Sequence, residues 1–215
     1  MKRLVLSAIL AVSLLVSPAQ AFNWSGVFMQ VQKSVVQLFH ARGTCTAFSI
    51  NQQKGYYLTA AHCLGENMAM WKEATTATGT QHTFRVLRVL GSSIELDLAV
   101  LEAAEGLQGL PRGRVPNKGD EVASIGYAFG EPEPFIIGAI ITHIKEARSY
   151  GRYRHIIMKD NQDIGGMSGG PVVDTKGRLV GMVQQGVVID AQVSNIAYGT
   201  AIDDLYEFTK SYWGS

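Results

Sequence analysis

Three side chains able to form one proton-transfer chain occur in a fixed order. His62 lies in Thr59-Ala60-Ala61-His62-Cys63, Asp97 in Asp97-Leu98-Ala99-Val100-Leu101, and Ser168 in Gly166-Met167-Ser168-Gly169-Gly170-Pro171. An imidazole can take the proton of a serine hydroxyl, and a carboxylate can hold that imidazole in the tautomer that leaves Nε2 free. Backbone N–H groups of a glycine-rich turn can receive the charge that builds on an attacked carbonyl oxygen. Together these groups equip a chain for acyl transfer. Each also has an ordinary reading: Ser-Gly-Gly-Pro is common turn chemistry, a lone histidine is usually a satisfied core residue, and Asp97 beside Glu95 fits a solvated strand edge.

Chain order separates the possibilities. Gly166-x-Ser168-x-Gly170 also fits the nucleophile elbow of α/β-hydrolases, whose histidine follows the serine. Here all five histidines (His40, His62, His82, His143, His155) precede Ser168. A subtilisin-type order needs an aspartate ahead of the histidine, and the first aspartate in the chain is Asp97. The order His62, Asp97, Ser168 is that of chymotrypsin. Asp97 sits in the otherwise apolar run Leu96–Leu101, where a carboxylate is costly unless paired; the Nδ1–H of His62 would pair it. The N–H groups of Gly166 and Ser168 are the candidate oxyanion hole, and losing one such donor costs about 3 kcal/mol of transition-state stabilisation.

The elements that must hold these groups read as β. From Gly43 onward, short apolar segments alternate with turn residues, as in an antiparallel all-β protein. Strands are predicted at Thr44–Ile50, Tyr56–Thr59, Thr83–Leu90, Leu96–Leu101, Glu121–Tyr127, Phe135–Thr142, His155–Met158, Pro171–Val173 and Leu179–Gln184. Pro111–Gly119, with two prolines and two glycines, is where a linker would join one lobe (about residues 22–110) to a second (about 120–215). Helical spacing of Val27, Val31, Val35 and Leu38 predicts an N-terminal helix. A C-terminal helix is predicted from Asp203 or Asp204 to Trp213, with Glu207 completing a capping box from Asp204.

Lys2 and Arg3, the apolar run Leu4–Val16 and an Ala19-Gln20-Ala21 exit form a cleavable secretory signal over residues 1–21. The competing reading, a membrane anchor, falls short of the roughly 20 apolar residues that span a bilayer. Removal of the signal leaves 17 basic against 18 acidic side chains. That balance argues against a nucleic-acid partner, which calls for a concentrated basic face. The product is expected to be periplasmic or secreted, with no stable membrane insertion. In such a compartment the isolated pair Cys45 and Cys63 reads as a disulfide. A zinc site completed by His40 or His62 is the competitor, but it lacks the usual ligand spacing.

Taken together, the three motifs resemble the trypsin-like (chymotrypsin-fold) serine peptidases from Gly43 to Ile202, and within them the bacterial HtrA-type protease domains. Gly119–Gly126, Gly138-Ala139-Ile140-Ile141 and Tyr198–Ile202 resemble central and final strands of that branch. The resemblance implies two six-stranded antiparallel β-barrels with the site between them, and a protein or peptide substrate. Met167 stands where zymogen-activated trypsins carry an aspartate, so activation through a newly cut N-terminus is not expected; nor is a PDZ module after Ile202. Phe22, Trp24 and Phe28 resemble the aromatic trimer contacts of the branch, so monomer and homotrimer are both open, and a plain core role serves them equally well.

The resemblance also implies that Gln184, Gln185 and Gly186 form the edge that pairs with extended substrate. Gln162 stands where trypsins carry their base-selecting aspartate, and the adjacent Asp163 either selects a basic residue or is a solvated loop carboxylate. Asp160 and Asp163 do not have calcium-loop spacing, and no metal or cofactor is required. The expected activity is that of an exported serine endopeptidase. A non-catalytic peptide-binding or chaperone-like protein on the same fold and an esterase are the alternatives.

Overall fold

A computed structural model describes residues 22–40, 43–65, 72–76, 78–90, 96–147, 153–159, 165–189 and 192–213. The strands β1 (Val35–His40), β2 (Gly43–Asn51), β3 (Tyr56–Thr59), β4 (Lys72–Thr76), β5 (Gln81–Leu90) and β6 (Leu98–Ala103) close a first barrel in the order β1-β2-β3-β6-β5-β4. The strands β7 (Glu121–Gly126), β8 (Phe135–Ala147), β9 (Tyr153–Lys159), β10 (Pro171–Asp174), β11 (Leu179–Ile189) and β12 (Gln192–Ala201) close a second, in the order β10-β11-β12-β9-β8-β7. All of these pairings are antiparallel. Two short helices, α1 (Ser25–Val31) and α2 (Ile202–Thr209), flank the barrels. The expected pair of six-stranded antiparallel barrels is thus the observed architecture.

The strand sequences are apolar on both faces because each face has its own core. Cys45, Ala47, Tyr57, Ala99 and Leu101 fill the first barrel. Their alternate neighbours Phe48, Ile50, Leu58, Leu98 and Val100 point the other way, into a cluster shared with the second barrel. The second barrel repeats the arrangement: Val122, Val172 and Val180 face its interior, while Ala123, Ile125, Val173, Leu179 and Met182 join the shared cluster. The period of two holds in β2, β3, β6 and β7, while a bulge in the pairing of β10 with β11 sends Val180 and Met182 to different clusters; burial of the second face welds the barrels along the seam where the site lies.

Several boundaries differ from expectation. The predicted helix over Val27–Leu38 stops at Val31; after a single 3₁₀ turn at Gln32–Ser34, Val35 begins β1, pairing with Phe48 of β2. The β-branched Val35 and Val36 favour a pleated strand with buried faces over continued helix. Asp97 is not in a strand: β6 begins at Leu98, and Asp97 occupies the turn before it with φ 48. The predicted capping box does not form, because Ala201 is the N-cap of α2. Asp203 and Asp204 instead take Arg112 and Arg154 as partners. β8 and β11 run past their predicted ends, β12 starts well before the final strand that the resemblance places at Tyr198–Ile202, and β1 and β4 were not predicted as strands. Phe22, Trp24 and Phe28 pack against the shared core. No helix among the described residues is long and apolar enough to cross a membrane. Residues 1–21, with the expected signal, lie outside the described residues.

Candidate active site

β3 ends at Thr59, and a 3₁₀ turn over Ala61–Leu64 then carries His62 to the seam between the barrels. This turn is held against the Asp97 turn by three hydrogen bonds. Ala61 N–H donates to the Asp97 carbonyl (3.1 Å), His62 N–H donates to Asp97 Oδ1 (2.9 Å), and His62 Nδ1 lies 2.7 Å from Asp97 Oδ2. An ionised carboxylate only accepts, so Nδ1 carries the proton in the neutral ring and Nε2 keeps its lone pair. The Asp97 side chain is 2 % exposed and that of His62 is 32 % exposed. The buried acid is therefore satisfied by the base it orients, and the base still reaches solvent.

Cys63 is bonded to Cys45 of β2, closing an 18-residue separation. This consumes the thiolates that the zinc alternative would have needed. Cys63 Sγ lies 3.8 Å from His62 Nε2 and 3.7 Å from the Ser168 carbonyl oxygen, so one sulfur touches both the imidazole and the serine-bearing turn.

That turn is built by glycines where side chains would not fit. Gly166 has φ 90, and a Cβ there would stand 2.4 Å from the Tyr127 carbonyl oxygen. Gly169 has φ 78, and a Cβ would stand 2.3 Å from both the Thr46 carbonyl oxygen and Thr59 Oγ1. Gly170 N–H bonds the Met167 carbonyl and Gly169 N–H the Val183 carbonyl, each at 2.8 Å. The Met167 side chain is wholly buried in the second barrel, which leaves Ser168 half-buried beside it. Among the described residues, the N–H groups of Gly166 and Ser168 have no acceptor. They are the pair expected to meet an oxyanion.

Two residues that organise this turn were not singled out from the sequence. Thr46 of β2 ties the barrels together: its N–H bonds the Ser168 carbonyl (2.9 Å) and its Oγ1 donates to the Gly166 carbonyl (3.2 Å) while accepting from Tyr127 N–H (3.0 Å). Its own carbonyl accepts from Thr59 Oγ1 at 2.7 Å. Phe129, in a left-handed conformation (φ 57), donates its N–H to the Gly165 carbonyl at 2.8 Å. A strand threonine carries no motif, and nothing local marks Phe129; only the fold assembles their contacts.

The expected substrate-binding residues divide. Gln162 and Asp163, with Asp160, lie outside the described residues. Gln185 and Gly186 are in β11, paired with Tyr198 and Ala197 of β12. Gln184 precedes them on the same strand; the residue is 4 % exposed, and its side chain turns inward and donates from Nε2 to the Leu96 carbonyl at 2.7 Å.

The double barrel and the His62–Asp97 pair beside a glycine-built serine turn define the class, and the chain belongs to the trypsin-like peptidase domain family, which it matches over residues 45–182. A probable periplasmic serine endoprotease, DegP-like, of Buchnera aphidicola subsp. Baizongia pistaciae is 25% identical over 169 residues. The match covers 76% of this chain and 34% of that protein, so the chain spans about a third of its relative's length. Among solved structures, the HtrA-type protease AlgW with tripeptide superposes with a TM-score of 0.73 at 23% identity, covering 88% of this chain and 63% of that one. The Rv3671c protease in its inactive form gives 0.70 at 19% identity, covering 86% and 92%. At these identities the two structures share the fold.

Proposed function

We propose that this chain is an exported serine endopeptidase that hydrolyses peptide bonds through an acyl-enzyme on Ser168. The observation that carries the reading is the 2.7 Å contact between His62 Nδ1 and the buried Asp97 carboxylate, which leaves Nε2 to face Cys63 Sγ, the sulfur that also lies beside the Ser168 carbonyl. A binding protein has no use for a base oriented in this way. In the first step Nε2 takes the Ser168 hydroxyl proton as Oγ attacks the scissile carbonyl carbon. The oxygen of that carbonyl gains the charge and is met by the N–H groups of Gly166 and Ser168. The imidazolium then gives its proton to the leaving amine as the C–N bond breaks. Water, deprotonated by the same nitrogen, cleaves the ester and returns the proton to Ser168.

An edge for extended substrate is supported by the sheet pattern. β10 pairs with β11 only as far as Met182, and Val183 closes the seam through bonds to Gly169 and Gly170. Beyond it, no strand among the described residues pairs with the second edge of β11. The backbone of Gln185 and Gly186 is then available to pair with a peptide. Export to the periplasm rests on the signal-like residues 1–21 and agrees with the periplasmic description of the Buchnera relative. The test is a fluorophosphonate probe and a mixed peptide pool. Wild-type protein is expected to label at Ser168 and to cleave peptides, and Ser168→Ala to do neither. Equal turnover by the two proteins would overturn the proposal.

A further inference from the structure

Gln184 belongs to the strand proposed to hold substrate, yet its side chain serves the other barrel. It is buried on β11, and its Nε2 donates to the carbonyl of Leu96, the residue before Asp97. Its amide is also hydrogen-bonded to His155 of β9, in the second barrel. Leu96 is fully buried, so its carbonyl is costly to leave without a donor.

The Asp97 turn needs such a hold. A left-handed backbone at a non-glycine residue persists only where the surroundings over-determine it. The bonds from Ala61 and His62 come from the very turn whose base Asp97 must orient. The bond from Gln184 comes from the opposite barrel and does not depend on that turn. His155 in turn restricts the rotation of the Gln184 amide, keeping a donor aimed at Leu96.

We infer that Gln184 is a positioning residue: by bridging β11 to the Leu96 carbonyl, it fixes the Asp97 carboxylate and through it the His62 ring. This rests on the peptidase reading and adds to it a device that ties the substrate strand to the orienting acid. A peptide pairing with Gln185 and Gly186 would settle on the strand that anchors Asp97, so binding and base orientation share one side chain.

Gln184→Met keeps length and volume and removes the donor; Gln184→Glu keeps the shape and, when ionised, offers acceptors only. Two readouts apply: kcat and KM on a cleaved peptide, and the low-field proton NMR resonance of the His62 Nδ1–H shared with Asp97. In both variants kcat is expected to fall roughly tenfold with little change in KM, the size of one lost buried hydrogen bond. The resonance is expected to shift or broaden. Unchanged kcat and resonance, with only a raised KM or a lowered melting temperature, would overturn the inference. Failure of the peptidase reading looks different: wild-type protein would not label at Ser168, while the resonance would still report whether Gln184 holds the pair.

Discussion

Phe129 presents its backbone N–H to the Gly165 carbonyl at 2.8 Å from a left-handed conformation that costs a non-glycine residue about 1–2 kcal/mol. In a trans peptide the C=O and N–H point in opposite directions. Pinning the Gly165 oxygen therefore turns the Gly166 N–H away from Phe129 and fixes the peptide plane that would serve the oxyanion. The Phe129 side chain is 63 % exposed, so its packing does not offset the strain.

Replacing Phe129 separates the backbone role from the side chain. Phe129→Pro loses the N–H and cannot reach the observed φ. Its kcat is expected to fall about 10²-fold, the size of losing one oxyanion donor. Phe129→Gly keeps the N–H and removes the strain, so kcat is retained and the melting temperature does not drop. Steady-state kinetics with thermal melts on both variants decides this; equal losses of kcat would discard the backbone argument.

Gly169 makes the sharpest steric prediction. An added methyl would overlap the Thr46 carbonyl oxygen and Thr59 Oγ1, both from the first barrel, and the positive φ resists any side chain. Gly169→Ala is expected to cost roughly 2–4 kcal/mol of stability and to abolish probe labelling at Ser168. Urea denaturation together with labelling measures both effects. Ordinary stability and labelling would mean that the seam is looser than the close contacts at Thr46 indicate.

The sequence made the chemistry legible because His62, Asp97 and Ser168 lie in motifs whose order excludes other scaffolds. It was less informative wherever tertiary contacts decide. Val35 and Leu38 have helical spacing, but pairing with β2 makes them strand. Leu96–Leu101 reads as one apolar strand, yet the hydrogen bonds that satisfy Asp97 break it at the site. Asp204 looks like the start of a capping box until Arg154, fifty residues away, takes its carboxylate. Gln184 follows the strand alternation, but nothing local reveals that the Leu96 carbonyl waits on the inner side.

The disulfide offers a third test. Cys45 lies one residue from Thr46, and Cys63 one residue from His62, so a single covalent link anchors both the cross-barrel threonine and the base. The chain-entropy relation for the 18-residue separation predicts about 3 kcal/mol of stabilisation. A Cys45→Ser, Cys63→Ser double variant is expected to lose about that much in urea denaturation and to label more slowly at Ser168. Dithiothreitol should bring wild-type protein to the same level and leave the variant unaffected. A variant as stable as wild-type protein would remove the link's structural role.

Acid provides the last test, where Arg112 meets α2. The hydrogen bond from Arg112 to Asp203 Oδ1 (2.9 Å) is the main reason the Asp203 carboxyl titrates below the usual aspartate range; partial burial opposes it and Arg154 adds to it. Arg112 also lies over the Tyr206 ring, 3.9 Å from its centroid. A carboxyl whose pKa is lower in the folded state contributes stability that is complete above its unfolded pKa, about 3.9, and is lost as pH falls through the folded value. The Asp203 side chain is 45 % exposed, and solvent screening keeps the contribution below roughly 1 kcal/mol. Asp203→Asn should therefore be slightly less stable than wild-type protein at neutral pH, and the gap should narrow below about pH 4. Urea denaturation of both proteins at neutral and acid pH measures it, and a gap that widened in acid would mean that Asp203 stabilises the fold by something other than its charge.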